Sequence, residues 1–309
     1  MLALFVGAAN GSAQDPPYPH WAVPGKVAAL LAADSPLLLL GGGIGIASWR
    51  DGSLRRRFLE RAYALDRNAP AVALSLADVT IVLSALPGRA ESRRLEKVAS
   101  ILQSSAPDNA AGDFVLAFVA MARGDAERAL RHLRDGNAQD RFETYSRERF
   151  RAIVAASEAL GAHPWEARQY AFGTLVPTHV LNALARTCRW LRDGPAAAAA
   201  RSECLHAGRL VDRDAHTLLE SLFATNVQYE AVGCACADVR TEHQDRRRVV
   251  QRRRIIAKLS RSFDGEPEGS LPPPGFYDAV LARGEEAVAA DRICSKHARS
   301  RLCAALAGA

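Results

Sequence analysis

The stretch Phe114-Val-Leu-Ala-Phe-Val-Ala-Met-Ala-Arg-Gly-Asp-Ala-Glu-Arg-Ala-Leu-Arg-His-Leu133 decides the fold class of this chain. Its apolar side chains recur at the i, i+3, i+4, i+7 spacing of one helix face, first from Phe114 to Met121 and again from Ala126 to Leu133. Between the two runs, Gly124-Asp125 separates the periodic segments, and Asp125 stands where the N-cap of the second helix is expected. Two short helices joined by so tight a turn pack antiparallel, so the stretch predicts a helical hairpin.

Similar apolar runs recur along the chain, and together they predict an all-α protein. They comprise Leu54, Phe58, Leu59, Ala62 and Leu65, then Leu95, Val98, Ala99 and Leu102, then Leu181, Leu184, Ala185 and Cys188. Hydrophobic residues make up 49% of the sequence and aromatic residues 6%, so Ala, Leu and Val must build the core. The segment 71–83 alternates as a strand does, but no strand pattern lies nearby to pair with it, and we predict a helix. The predicted architecture is a set of stacked antiparallel helical hairpins with no substantial sheet.

Several residues at the predicted bends indicate where helices begin and end. Thr178 is expected to cap the helix that holds Leu181. In Gly194-Pro195 the glycine follows one helix and the proline opens the next, and His163-Pro164 begins another helix in the same manner.

Two segments resemble the tetratricopeptide repeat family. Ala62-Tyr63-Ala64-Leu65-Asp66-Arg67-Asn68-Ala69-Pro70 is similar to the closing turn of such a repeat. The segment from Pro107-Asp108-Asn109 through Ala117, Ala120 and Gly124-Asp125 to Ala129-Leu130 resembles a whole repeat. The resemblance covers about residues 37–160, lacks most of the family's aromatic positions, and implies a right-handed stacked array without implying the family's peptide-binding groove.

Composition and the positions of turn-forming residues divide the chain into five predicted segments. The region 263–275 holds three consecutive prolines and is expected to be an exposed loop before the last helices. The segments are a signal-like or extended N-terminus (1–24), tetratricopeptide-like repeats (25–162), C-terminal helical hairpins (163–262), the Pro-rich loop (263–275) and terminal helices (276–309).

The N-terminal segment favours export. A short apolar stretch from Leu2 to Ala8 precedes Gly11-Ser12-Ala13, whose small residues are typical of a signal peptidase site, although no basic residue comes before the apolar stretch. We therefore predict a periplasmic or secreted protein, with a cytoplasmic location as the alternative. No apolar run approaches the roughly 20 residues of a membrane-spanning helix, so none is predicted.

Six cysteines lie in the C-terminal half, and spacing pairs four of them. Cys188 and Cys204 flank Gly194-Pro195 almost symmetrically, so an antiparallel hairpin brings them side by side and predicts a disulfide. Cys294 and Cys303, nine positions apart across a helix end, are the second predicted pair. Buried free thiols are the alternative for both pairs. Cys234 and Cys236 stay free or pair elsewhere.

The cysteine spacing gives only a weak indication of a zinc site, and none is predicted. Cys234-x-Cys236, Cys294-x-x-His297 and Cys303 offer soft ligands, but the paired C-x-x-C knuckles of structural zinc sites are missing.

The segment from Arg246 to Arg261 is the candidate partner-binding site. Val249, Ile256 and Leu259 form an apolar seam, with arginines on its flanks. An acidic protein or an anionic membrane surface would suit such a helix, and a solvated face whose arginine stems cover apolar surface is the alternative. Much of the net charge of +6 is concentrated in these arginines, so the global charge does not argue for nucleic acid, and export would make a nucleic-acid partner improbable. The candidate residues are Arg246, Arg247, Arg248, Arg252, Arg253 and Arg254.

No catalytic motif is present, and neither an enzyme nor a cofactor is predicted. Gly41-Gly42-Gly43-Ile44-Gly45 satisfies no phosphate-loop pattern and is expected to line a close helix contact or turn. His163 is expected to cap a helix, and His132, His179, His206, His216 and His243 have no triad-like context. The sequence therefore predicts an exported helical-repeat protein that acts as an interaction or scaffold module. The alternatives are a cytosolic adaptor that binds an acidic partner through its Arg-rich helix, and an enzyme with a dispersed active site.

Overall fold

A computed structural model of the chain describes residues 19–46, 52–83, 86–232, 247–256, 276–296 and 303. These residues form helices and connecting turns without a strand, which confirms the all-α prediction. Among them, no helix is long and apolar enough to cross a bilayer. The helices are α1 (Pro24–Leu31), α2 (Pro36–Gly41) with a π-helical turn (Gly42–Ile46), α3 (Gly52–Leu65), α4 (Pro70–Val82), α5 (Arg89–Ser105), α6 (Ala111–Ala122), α7 (Ala126–Asn137), α8 (Ser146–Ala159), α9 (Pro164–Thr174), α10 (Thr178–Arg192), α11 (Ala197–Arg213), α12 (Leu218–Val232), α13 (247–256), α14 (Phe276–Arg283) and α15 (Glu285–Lys296).

Helix α4 explains why its sequence alternated as a strand does. Every residue from Ala71 to Ile81 is buried, including Ser75 and Asp78, so neighbours cover the helix on all sides. A helix without a solvent face needs no amphipathic period, and the alternation carried no information about secondary structure.

The helices pack both with their neighbours in sequence and with distant ones. From α2 to α7, each helix packs against the next. Helix α8 then returns to α2, and α10 contacts α4, α6, α11 and α12. Helices that are neighbours in sequence therefore pack against one another, and α10 lies at the centre of the described core. The tetratricopeptide resemblance stays a prediction.

The glycine-rich segment serves a close helix contact. A Cβ atom on Gly41 would lie 1.9 Å from the carbonyl oxygen of Ala152 in α8, and one on Gly42 would lie 2.6 Å from the ring of Phe58. Backbone of α2 thus packs directly on backbone of α8, which any side chain at Gly41 would prevent.

Two of the predicted helix caps are confirmed, and two other predicted helix starts are wrong. Asp125 accepts a hydrogen bond from the backbone N–H of Arg128 at 2.9 Å, and His163 caps α9, as predicted. Thr178 was wrongly predicted as a cap, because it is the first residue of α10 and makes no capping bond. Pro195 does not open α11, which begins two residues later. The terminal helix is interrupted by Gly284, whose φ of 83° separates α14 from α15.

Asp78 replaces Thr178 as the cap of α10. One carboxylate oxygen of Asp78 accepts hydrogen bonds from the backbone N–H groups of His179 and Val180, at 2.9 and 3.2 Å. Its other oxygen lies 3.7 Å from the guanidinium of Arg55. A carboxylate that is 3% exposed thus reaches a helix N-terminus and a cation from the middle of α4.

Arg149 of α8 completes this buried charge cluster. Its guanidinium donates to the carbonyl oxygen of Leu175 at 2.6 Å and to the hydroxyl of Ser75 at 2.7 Å. Burial lowers the pKa of Arg149 to about 10, opposed by the charge of Asp78, so the side chain stays a cation at neutral pH. Arg55, Asp78 and Arg149 together tie α3, α4, α8 and α10.

Removing Asp78 is expected to destabilise the protein strongly. Asp78→Ala leaves two buried guanidinium groups without their carboxylate and α10 without its cap, so the free energy of unfolding should fall by about 3–5 kcal/mol. Asp78→Asn keeps the acceptor for His179 and should cost less. Urea unfolding followed by circular dichroism measures both.

Asp125→Ala is the matched control, because it removes an exposed helix cap and should cost about 1 kcal/mol. Equal losses in Asp78→Ala and Asp125→Ala would contradict a structural role for the buried cluster.

Candidate functional site

Helix α13 is anchored to the core through its apolar seam and one arginine. Val249 and Ile256 are buried, as the sequence predicted, whereas Leu259 lies outside the described residues. Arg252 binds Asp212 of α11 at 2.9 Å and Glu286 of α15 at 2.5 Å. Although burial opposes it, hydrogen bonding to these two carboxylates raises the pKa of Arg252. Arg252 therefore holds three helices together and is not available to a partner.

The remaining arginines of α13 divide into one that is held and three that are exposed. The guanidinium of Arg253 lies 5.3 Å from the ring centroid of Tyr229, in a cation–π contact with α12. Arg247, Arg248 and Arg254 are exposed, and within the part of the chain that the structure describes they form no ion pair. Arg246 lies outside that part. The predicted six-residue site thus reduces to an exposed basic face of three residues, Arg247, Arg248 and Arg254, which we call the α13 arginine face.

Two disulfides join the cysteine pairs that the spacing predicted. Cys188 and Cys204 are bonded across α10 and α11 with Cα atoms 5.7 Å apart, and Cys294 and Cys303 are bonded with the same Cα separation. Cys188 and Cys204 are both fully buried. Cys234, Cys236 and His297, which the sequence offered as soft metal ligands, lie outside the described residues. The disulfides fit an oxidising, non-cytosolic compartment.

A groove of about 430 Å³ lies between α8, α9 and α14. Phe150 and Leu281 supply apolar surface, and its rim is charged. Arg147 donates to the carbonyl oxygen of Leu281 at 2.8 Å, and Arg168 lies 3.8 Å from Asp278. Because the rim charges are partly engaged and its arginines are exposed, the groove fits a shallow contact surface better than an enclosed catalytic pocket.

Two carboxylates meet at the N-terminus of α12. Glu220 accepts from the backbone N–H groups of His216 and Thr217 at 2.7 and 2.9 Å, and Glu285 accepts from that of Leu218 at 2.7 Å. Burial, together with the nearby Glu220 charge, raises the pKa of Glu285 to about 7. A cleft of about 370 Å³ opens beside them.

Glu220 has further hydrogen-bond partners. The hydroxyls of Thr144 and Ser146 donate to its second oxygen at 2.5 and 2.8 Å. Glu220 thus accepts four hydrogen bonds and links α12 to Thr144 and to Ser146, the first residue of α8. The arrangement is a structural junction, and Glu285 is its titrating member.

The structure gives His132 a context that the sequence analysis missed. Ligand atoms of Asp113, His132 and Asp135 lie within 4.8 Å of one another, on the hairpin of α6 and α7. The signal was the i, i+3 spacing of His132 and Asp135, which puts both on one helix face. Asp113 could be added only after the antiparallel pairing of α6 and α7 was known.

Breaking the Cys188–Cys204 bond is expected to destabilise the core. Replacing both cysteines by alanine frees a loop with a sequence separation of 16 and should lower the free energy of unfolding by about 3 kcal/mol. Urea unfolding under non-reducing conditions measures the loss, and peptide mapping of the unreduced parent protein verifies the bond. An unchanged stability, or free thiols at both positions, would contradict the assignment.

Stability is expected to depend on pH through Glu285. Its pKa is raised on folding, so the stabilisation is fully present below the ordinary carboxyl pKa near 4.5 and is lost as the pH rises through about 7. Glu285→Gln should therefore be more stable than the parent at pH 8 by about 1–2 kcal/mol and match it near pH 4. Urea titrations at both pH values measure the difference.

Glu148→Gln, an exposed change on α8, is the control and should leave the pH profile unchanged. Parallel profiles for Glu285→Gln and the parent would exclude Glu285 as the titrating group.

Comparison with known proteins adds no family assignment. No protein-family model and no curated protein matches the chain.

Proposed function

We propose that the protein is an exported, periplasmic interaction module that binds an acidic protein segment through the α13 arginine face. The observation that carries the proposal is the separation of roles among the arginines of α13. Arg252 and Arg253 hold the helix to the core, while Arg247, Arg248 and Arg254 remain exposed and without ion pairs in the described part of the chain. Because the helix is already held to the core, binding carboxylates at its exposed arginines does not require the helix itself to be ordered, which lowers the entropic cost.

The local charge balance supports an acidic partner. Residues 247–256 include five arginines and no acidic residue. Helix α5 also exposes Arg89, Arg93 and Arg94, but there acidic residues are interspersed, and Glu96 forms an ion pair with Arg123 at 2.6 Å. The α13 arginine face is therefore a stronger positive patch than the comparable surface of α5.

The disulfides support the proposed compartment. Persistent disulfides are rare in the reducing cytosol, and both pairs lie at bonding distance. The proposed periplasmic location is supported by these disulfides together with the signal-like N-terminal sequence. The alternative of a cytosolic adaptor would use the same arginine face with reduced cysteines.

Neutralising the α13 arginine face is expected to weaken binding to an acidic peptide. Replacing Arg247, Arg248 and Arg254 by serine removes three positive charges, each worth about 0.5 kcal/mol, and should reduce the affinity for a fluorescent polyglutamate peptide by about tenfold. Fluorescence anisotropy at low ionic strength measures the change, which should shrink as salt is added.

The matched control replaces Arg89, Arg93 and Arg94 on α5, which removes the same net charge from another surface. Equal losses in the two triple variants would show a general charge effect and contradict the site. Binding of the parent to anionic phospholipid vesicles, without binding to the peptide, would replace the acidic protein by a membrane surface.

A further inference from the structure

The hairpin of α6 and α7 brings three potential metal ligands to one place. Asp113 lies in the first turn of α6, whereas His132 and Asp135 lie toward the end of α7. Because the two helices are antiparallel, the start of one lies beside the end of the other. Ligand atoms of all three side chains lie within 4.8 Å of one another.

Gly136 allows the close approach that this cluster needs. A Cβ atom at Gly136 would lie 2.6 Å from the ring of Phe114 and 3.2 Å from the Cβ of Asp113. The backbone of α7 therefore packs against the first turn of α6 next to the three ligands. A larger residue would push the helices apart at this point.

The polar atoms of the cluster are incompletely satisfied. The Nδ1 atom of His132 is buried and has no hydrogen-bond partner, although a carboxylate oxygen of Asp135 lies 3.9 Å away. Leaving such a buried atom unpaired is destabilising. Asp113 is 4% exposed and accepts a hydrogen bond from the side chain of Gln103 at 2.7 Å.

The charges around the cluster favour a cation between the two carboxylates. Burial and the nearby charge of Asp135 raise the pKa of Asp113, although the hydrogen bond from Gln103 opposes this shift. Burial and the neighbouring Arg128 lower the pKa of His132, which favours the neutral imidazole that a metal ligand must be. The Nε–H of Arg128 donates to the Nε2 of His132 at 3.5 Å, so metal binding at Nδ1 requires that this hydrogen bond break and that the imidazole proton move from Nδ1 to Nε2. The positive charge of Arg128 also opposes a cation and limits the affinity.

We propose that Asp113, His132 and Asp135 bind a divalent transition-metal ion, with zinc as the best chemical fit. One imidazole nitrogen and two carboxylate oxygens suit zinc, whereas magnesium and calcium prefer oxygen ligands alone. Gln103 orients the buried carboxylate of Asp113, as outer residues do at metal sites. Three protein ligands leave a fourth position open to water or to another ligand.

A modest side-chain movement closes the site. With metal–ligand bonds of about 2.1 Å, tetrahedral ligand atoms lie about 3.4 Å apart, which is closer than the widest separation here. Asp135 is exposed and its side chain is free to rotate toward the buried pair. The metal would neutralise both carboxylates and give the Nδ1 atom of His132 a partner.

Direct metal binding to the full chain tests the proposal. Thiols are first blocked by alkylation, so that Cys234 and Cys236 do not contribute. Calorimetry with zinc chloride should give one ion per chain, and Asp135→Asn should weaken this binding by at least about tenfold. With cobalt chloride, visible absorption bands should appear in the parent and disappear in His132→Gln.

Glu127→Gln is the matched control, because it removes an exposed carboxylate from the same helix outside the cluster. It should leave zinc binding unchanged. Because Asp135 is exposed, Asp135→Asn folds normally and gives an answer even if His132→Gln does not fold. The absence of zinc binding by the parent, or an unchanged affinity in Asp135→Asn, would overturn the proposal.

Discussion

The described core depends on a buried carboxylate that serves three elements at once. Asp78 caps the N-terminus of α10 and lies against Arg55, while Arg149 in the same cluster binds the chain just before α10. Charges in a low-dielectric interior are costly when unpaired, so these helices have one satisfactory mutual position. Asp78 helps to fix the position of α10. Because α10 also packs on α4, α6 and α12, those helices are positioned relative to it.

The sequence predicted the helices better than it predicted their mutual arrangement. Periodic apolar runs and local caps such as Asp125 identify a helix from its own residues. The cap of α10 comes from Asp78, which is 101 positions away from His179, and no local pattern contains that information. The same limit applies to Asp113, which joins His132 only through the pairing of two helices. Local sequence patterns predict the individual helices, whereas long-range polar contacts determine how those helices are positioned relative to one another.

The spacing of residues in the sequence was sufficient to predict the cysteine pair, but it was not sufficient to assign roles to the arginines of α13. Cys188 and Cys204 were paired correctly because both lie on one hairpin, where symmetry about the turn determines proximity. The arginines of α13 look alike in sequence, yet Arg252 is a core clamp and Arg248 is an exposed cation. Their different roles depend on Asp212 and Glu286, which belong to other helices.

The short span of the Cys188–Cys204 bond affects the order in which the protein assembles. Only 16 positions separate the two cysteines, so less chain entropy is lost in bringing them together than for a pair far apart in sequence. During synthesis, α10 and α11 emerge before α12, and oxidation does not have to wait for it. The bonded hairpin then offers α12 a preformed two-helix surface, and both α10 and α11 contact that helix in the finished fold.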